Sequence, residues 1–239
     1  MTASWEKLLA KAFIIIDEIE RMEACPDGMA LGGGTALMLQ IDHRVSHDID
    51  FFLPDPQLLA YAAAAVADLE AWLPGVSYRG DGSRYLKIAI EGEGEIDFIA
   101  APPATGDRPV ERTLLGRSVP VNTVPEIIAS KVVYRGDHLL ARDIFDIAAA
   151  CESGHREAVR HVLADIPEHA AAAHARVGML PKGRLADLVL PQDIRPGFEH
   201  LLAEAPAIAL EVLEPRREKT FGRRRRSAPK SDDDPSPGF

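Results

Sequence analysis

Cysteine is almost absent from the 239 residues, with Cys25 and Cys151 the only two. Two thiols are too few for a disulfide framework and lack the paired spacing of a zinc site, which suits a reducing compartment and two inert side chains. Long apolar runs are missing as well. No stretch approaches the roughly 18–20 residues needed to cross a bilayer, and the N-terminal MTASWEKLLAKAFIIIDEIE breaks its apolar residues with Lys and Glu, unlike a secretory signal. The expectation is a cytoplasmic protein without membrane association. Positive charge is also scarce. The formal net charge is -10, and residues 216–239 carry eight Lys or Arg against four acidic residues, so the body before them stands near -14. An acidic body argues against binding nucleic acid through a broad basic surface, though it leaves room for a small positive groove.

What remains is an ordinary globular composition, 46% hydrophobic and 27% charged. The length fits one sizeable domain, or a compact domain with an appended helical lobe. From Trp5 to Met22 apolar residues recur at Leu8, Leu9, Phe13, Ile16 and Ile19, the spacing of an amphipathic helix. Met29–Leu31 reads as a strand running into Gly32-Gly33-Gly34-Thr35, followed by a helix over Ala36–Ile41 and a strand over Asp48–Leu53. The Ala-rich stretch Gln57–Trp72 predicts a helix, and Tyr85–Ile90 and Glu95–Ile99 predict strands joined at Gly92 and Gly94. A hairpin is expected over Thr113–Val121 around Gly116, then a helix with Pro125 in its first turn running through Lys131 to Arg135. Only helices are expected thereafter, over 143–151, 157–165, 168–177 and 198–213. Past Pro215 the composition offers little apolar surface to offset ordering entropy, which predicts a flexible tail.

The densest cluster of unusual residues is LGGGTALMLQIDHRVSHDIDFF. Asp48 and Asp50 lie two apart in an apolar strand context and so share a face. Two such carboxylates repel one another and resist burial, a pattern that calls for a cation, and hard oxygen ligands suit magnesium. Asp97 in EIDFIA has the same apolar setting and is the candidate third carboxylate, completing a metal cage or taking a proton from an attacking hydroxyl. The alternative is that Asp97 ends a strand at the surface. Consecutive glycines let the backbone approach a phosphate, and the helix start that follows presents free N–H groups; Thr35 could add a hydroxyl contact. His43 and His47, four apart, would form a two-histidine metal face if they lay on a helix, but no third nitrogen or sulfur ligand accompanies them. The run Arg223–Arg226 could attract RNA by charge, or be a solvated segment.

The segment GGGTALMLQIDHRVSHDIDFF resembles the first motif of the AbiEii/AbiGii-type nucleotidyltransferase toxins, a branch of the polymerase-beta-like superfamily found in toxin-antitoxin pairs. EIIASKVVYRGDHLLARDIFDIAAA is similar to that family's Lys followed by an Arg-Asp-hydrophobic-x-Asp helix, here Lys131, Arg142, Asp143 and Asp146. The matches span about Met29 to Cys151, and the expected fold is α/β: a polymerase-beta-like nucleotidyltransferase core with a short mixed sheet over residues 1–122, a helical lobe over 123–214 that helps form the cleft, and the tail at 215–239. The resemblance implies metal binding by Asp48 and Asp50, with Asp97, from its own strand setting, the candidate third ligand. Nucleotide contacts would come from Gly33, Gly34, Thr35, Lys131 and Arg142, with Asp146 supporting the site from the helical lobe. Arg44 and Ser46 fit the family's R-x-S, where Arg44 could grip a phosphate bidentately and Ser46 could bind or shape the turn. Thr35 stands where many members have Ser, and Glu95 where related toxins often carry Lys. Taken without the resemblance, Lys131 is equally a solvated helix residue, and Arg142 with Asp146 a local ion pair.

The expected activity is magnesium-dependent transfer of a nucleoside monophosphate from an NTP to an acceptor hydroxyl. The resemblance implies a tRNA 3' end as acceptor and a cognate antitoxin as partner. Nucleotide transfer to a protein hydroxyl, or a non-catalytic binding module retaining the fold, are the alternatives.

Overall fold

A computed structural model describes residues 4–22, 28–69, 75–181 and 183–215. Cys25, the end of the helix expected to reach Trp72, and the tail with Arg223–Arg226 lie outside the described residues. The elements run α1 (Ser4–Arg21), β1 (Ala30–Gly32), α2 (Gly33–Ile41), β2 (Ile49–Leu53), α3 (Leu58–Leu69), β3 (Val76–Gly80), β4 (Tyr85–Ile90), β5 (Gly94–Ala100), β6 (Val110–Leu114), β7 (Arg117–Val121), α4 (Val124–Arg135), α5 (Ala141–Ala150), α6 (Arg156–Ala164), α7 (Pro167–Gly178), α8 (Arg184–Leu188) and α9 (Leu201–Leu213).

The seven strands form one mixed sheet in the order β3-β4-β5-β2-β1-β7-β6. Pairing of β2 with β5 and of β1 with β7 is parallel; the other pairs are antiparallel. The mixed sheet has one strand more than the sequence pattern marks, β3, whose residues are almost all exposed, so it lacks the apolar alternation by which a strand shows itself. It forms an edge, paired along its length with β4.

Alternation along the central strands decides what the two faces do. In β2 Ile49, Phe51 and Leu53 are buried while Asp50 and Phe52 point the other way. In β5 Ile96 and Phe98 are buried opposite Asp97, and in β4 Leu86, Ile88 and Ile90 are buried opposite Lys87. The apolar face is covered by α1 and α3, and α1 contributes Leu8, Leu9, Ala12, Ile15, Ile16 and Ile19, each 3% exposed or less. A fully buried Leu or Ile stabilises by about 1.5–3 kcal/mol, so this stripe anchors the sheet. The same alternation leaves the charged residues on the opposite face, as the floor of a cleft.

The cleft's other wall begins where the strands end. The Thr123 hydroxyl accepts a bond from the Glu126 backbone N–H, and Pro125 occupies the first turn of α4, so the helix starts where the sequence predicts. The helical lobe contains two features the sequence did not reveal, the short α8 and a wide turn at Cys151–His155, where Gly154 at φ 91 kinks the passage into α6. Cys151 itself is buried. No helix among the described residues is long and apolar enough to cross a membrane.

Glu126 is 2% exposed, and its carboxylate accepts hydrogen bonds from the backbone N–H groups of Ala104 and Thr105 and the hydroxyls of Thr105 and Ser130. This one side chain ties the loop after β5 to α4. Glu126→Ala should lower stability in urea unfolding by about 2–3 kcal/mol, because buried donors lose their acceptor. The loop around 104–105 should then exchange its amide hydrogens faster than the sheet does.

Candidate active site

Gly33 has φ +63, a conformation that side chains rarely adopt, and a Cβ there would lie 1.8 Å from Asp50 Oδ2. The glycine turn is therefore the space in which the Asp50 carboxylate sits. A Cβ on Gly34 would approach Ser46 Oγ at 2.8 Å and the Arg44 guanidinium at 3.1 Å. No side chain caps α2, whose first residues are this turn, so its N-terminal N–H groups stay available to an anion. Thr35 is fully buried, and its hydroxyl donates to the Asp48 carbonyl. It fixes the approach to β2 and is not on the cavity wall.

The carboxylates gather beside this turn. Parallel pairing sets Asp50 directly across from Asp97, and antiparallel pairing sets Asp50 across from Gly32. Asp48 lies just ahead of β2, where its Oδ1 accepts from the Glu95 backbone N–H at 3.3 Å. Burial, then the like charges of Asp97 and Asp48, push the Asp50 carboxyl up to about 6 against the opposing influence of Lys131. Asp97 is also raised, by burial first, with Lys87 acting against the shift. Its Oδ2 accepts from Lys87 at 2.9 Å, while its Oδ1 is buried without a partner.

Asp146 is fully buried on α5. It receives Arg44 through two bonds, Nε to Oδ1 at 2.7 Å and the terminal nitrogen to Oδ2 at 2.9 Å, with His43 Nε2 at 2.9 Å and Lys131 Nζ at 3.1 Å. Burial alone would raise this carboxyl, but Arg44, Lys131 and His43 hold it well below the ordinary range. Lys131 also donates to Asp143 at 2.7 Å, and Arg135 binds Asp143 through both oxygens at 2.7 and 2.8 Å. The local pair between Arg142 and Asp146 does not form. Arg142 is exposed, lines the cavity, and makes no hydrogen bond or ion pair among the described residues.

These groups surround a cavity of about 840 Å³ between the polar sheet face and α4. Gly33, Gly34, Arg44, Ser46, Asp48, Asp50, Asp97, Lys131 and Arg142 all line it, whereas Thr35 and Asp146 stand behind the wall. The Arg44 fork expected to face a phosphate is turned to Asp146. His43 and His47 lie on an extended loop rather than a helix. His43 is packed between Phe145 and Phe198 while His47 points outward near Asp193, so they form no joint metal face. Lys87 and Arg135 also line the cavity, although neither stands in a local motif that marks it. The signal for Lys87 was the turn around Gly92, which fixes a register with residue 87 opposite residue 97.

The donor set suits a hard divalent cation: three carboxylates at one end of the cavity, one raised to about 6 by crowding, and a buried carboxylate oxygen with no partner. The three are not drawn together within 4.8 Å of one another; among the described residues only Glu152, His200 and Glu204 meet that spacing. Those residues are exposed, none lines the cavity, and His200 already bonds Glu152 at 2.8 Å.

The family model for the nucleotidyl transferase AbiEii toxin, type IV toxin-antitoxin system, matches residues 23–223. The chain belongs to the AbiEii nucleotidyltransferase toxin family. No curated protein is similar enough in sequence to match. Among solved structures, JHP933 from Helicobacter pylori is 18% identical, with TM-score 0.42, covering 83% of this chain and 91% of that one. A putative nucleotidyltransferase from H. pylori is 18% identical, with TM-score 0.43, covering 87% and 93%. MenT4, the nucleotidyltransferase toxin Rv2826c from Mycobacterium tuberculosis H37Rv, is 21% identical, with TM-score 0.44, covering 85% and 83%. The matched span of the AbiEii model takes in the glycine turn, all three aspartates and the α4–α5 ion pairs.

Two outcomes follow for this site. Asp146→Ala leaves Arg44 buried without its partner and should cost about 3–5 kcal/mol in urea unfolding. Asp50 has a folded-state pKa above that of the unfolded chain, so its charge costs stability in full above pH 6. The cost shrinks between pH 6 and 3.8 and is gone below. Asp50→Asn in EDTA should therefore be more stable than the parent by on the order of 1–3 kcal/mol at pH 7.5 and equal to it near pH 3.5. Thermal melts at the two pH values check this.

Proposed function

We propose that this AbiEii-family chain transfers a nucleoside monophosphate from an NTP to an acceptor hydroxyl, releasing pyrophosphate. Magnesium would be the cation and RNA, specifically a tRNA 3' end, the acceptor. The observation that carries this reading is the meeting of Asp48, Asp50 and Asp97 with the glycine turn at one end of a cavity large enough for a nucleotide. Six cationic side chains, Arg44, Arg84, Lys87, Lys131, Arg135 and Arg142, line that cavity beside five acidic ones, Asp48, Asp50, Glu95, Asp97 and Asp193, so its wall is close to neutral in a chain of net charge -10. A cation bound by the three aspartates would tip that balance to positive, which favours a polyanionic substrate.

Asp48, Asp50 and Asp97 would hold the magnesium, which when bound neutralises triphosphate charge and makes the acceptor hydroxyl a better nucleophile. Gly33 and Gly34 bring backbone N–H groups to the phosphates without a Cβ in the way. The uncommitted guanidinium of Arg142 supplies a bidentate phosphate contact. Lys131, held by Asp143 and Asp146, keeps a fixed positive charge beside Asp50 and the transferring group. Asp97, the third carboxylate of the cavity, takes the proton of the attacking hydroxyl. Asp146 acts through others, orienting Arg44 and Lys131 from behind the wall. The acceptor enters from the open side, and toxicity, cytoplasmic action and neutralisation by a cognate antitoxin complete the reading.

Purified protein should be incubated with magnesium, each labelled NTP in turn and total tRNA, beside the Asp48→Ala/Asp50→Ala variant. Labelled tRNA from the parent alone, with activity in the variant down by at least about 10³-fold, is the expected result. Label on protein would favour protein modification in place of RNA. Equal labelling by the folded double variant would remove the role assigned to the two aspartates.

A further inference from the structure

Lys87, one of the cations on the cavity wall, has no part in the transfer as described. Lys87 stands on β4 directly opposite Asp97 of β5. Its Nζ lies 2.9 Å from Asp97 Oδ2 and 2.5 Å from Glu95 Oε2, and its side chain is 22% exposed. Glu95 and Asp97 are two apart on one strand and share its polar face, and the neighbouring strand delivers the ammonium between them. Of the two Asp97 oxygens, one is thus occupied by Lys87 and the other is buried with no partner.

We infer that Lys87 is an exchangeable counter-ion of the third carboxylate. In the nucleotide-free protein it occupies Asp97 Oδ2 and opposes divalent-cation loading; when the cation arrives with the nucleotide, Lys87 stays with Glu95 and releases Asp97. The inference rests on the three-carboxylate reading given above and adds an order of binding to it. The physical reason is that a divalent ion and an ammonium cannot both claim one carboxylate oxygen, and an ammonium displaced into a half-buried site with no acceptor is costly. Glu95 removes that cost, because the displaced Lys87 only loses one of two partners. Lys87 and Glu95 are therefore positioning residues, and the carboxylate at 95 has a use that a second lysine there could not serve.

The test is titration of Mn²⁺ into the full-length, nucleotide-free protein, followed by electron paramagnetic resonance. Lys87→Met should bind Mn²⁺ about tenfold more tightly than the parent, with Lys87→Gln as a second variant should the first fail to fold. Glu95→Gln should weaken binding in the parent, where Lys87 then rests on Asp97 alone, and have no effect in the Lys87→Met background. That non-additivity separates partner exchange from simple attraction between Glu95 and the ion. Mn²⁺ binding no tighter in both Lys87 variants would overturn the inference, as would equal weakening by Glu95→Gln in both backgrounds. Asp48→Ala/Asp50→Ala serves as the control: Mn²⁺ binding that survives it would overturn the carboxylate site itself, whereas binding lost there but indifferent to Lys87 overturns only the role of Lys87.

Discussion

The buried carboxylate of Asp146 is the point on which the rest of the site depends. It carries no substrate contact, yet it gathers Arg44 and His43 from the loop before β2 and Lys131 from α4. A charge taken out of water is tolerated only with partners arranged around it. Here the arrangement joins three separate chain segments, so the helical lobe and the sheet are held in one relation by one anion. Loop 43–47 then runs directly into Asp48 and Asp50, and its geometry is inherited from that anchor.

A second constraint comes from the sheet. Strand periodicity of two puts alternate residues on the face away from the core, and in β2, β4 and β5 these include Asp50, Lys87 and Asp97. The like charges of Asp50 and Asp97 face each other across a parallel pair, where side chains stand about 5 Å apart. Such a pairing detracts from stability in the empty protein. The flanking cations, Lys87 on one side and Lys131 on the other, limit that penalty without cancelling it.

Much of this was legible in the sequence, and the reasons are local. The GGGT turn, the D-I-D spacing and the apolar neighbours of Asp97 each mark their placement on the polar sheet face within a few residues. Thr123 and Pro125 mark the start of α4 in the same way. The roles of Arg44 and Arg142 were not legible, because both are set by contacts about 100 residues away or by their absence. From sequence, Arg142 and Asp146 are neighbours on a helix; in three dimensions Asp146 is already saturated by Arg44, His43 and Lys131, which leaves Arg142 at the surface. Lys87 required a register, and β3 gave no apolar signal at all.

The loop that carries the site is also tied down by backbone. Val45 N–H donates to the Asp193 carbonyl at 2.6 Å, Arg195 N–H donates to the His43 carbonyl at 3.0 Å, and Arg44 pairs with Ile194 as an isolated antiparallel bridge. These partners are separated by about 150 residues of chain. A ribosome adding roughly 5–20 residues per second needs on the order of 8–30 s to cover that distance. The glycine turn, Asp48 and Asp50 thus leave the ribosome long before the segment at 193–195 that holds the loop between them. A growing chain can therefore carry Asp48, Asp50 and Asp97 while the loop that leads into Asp48 and Asp50 still lacks its backbone partners at 193–195.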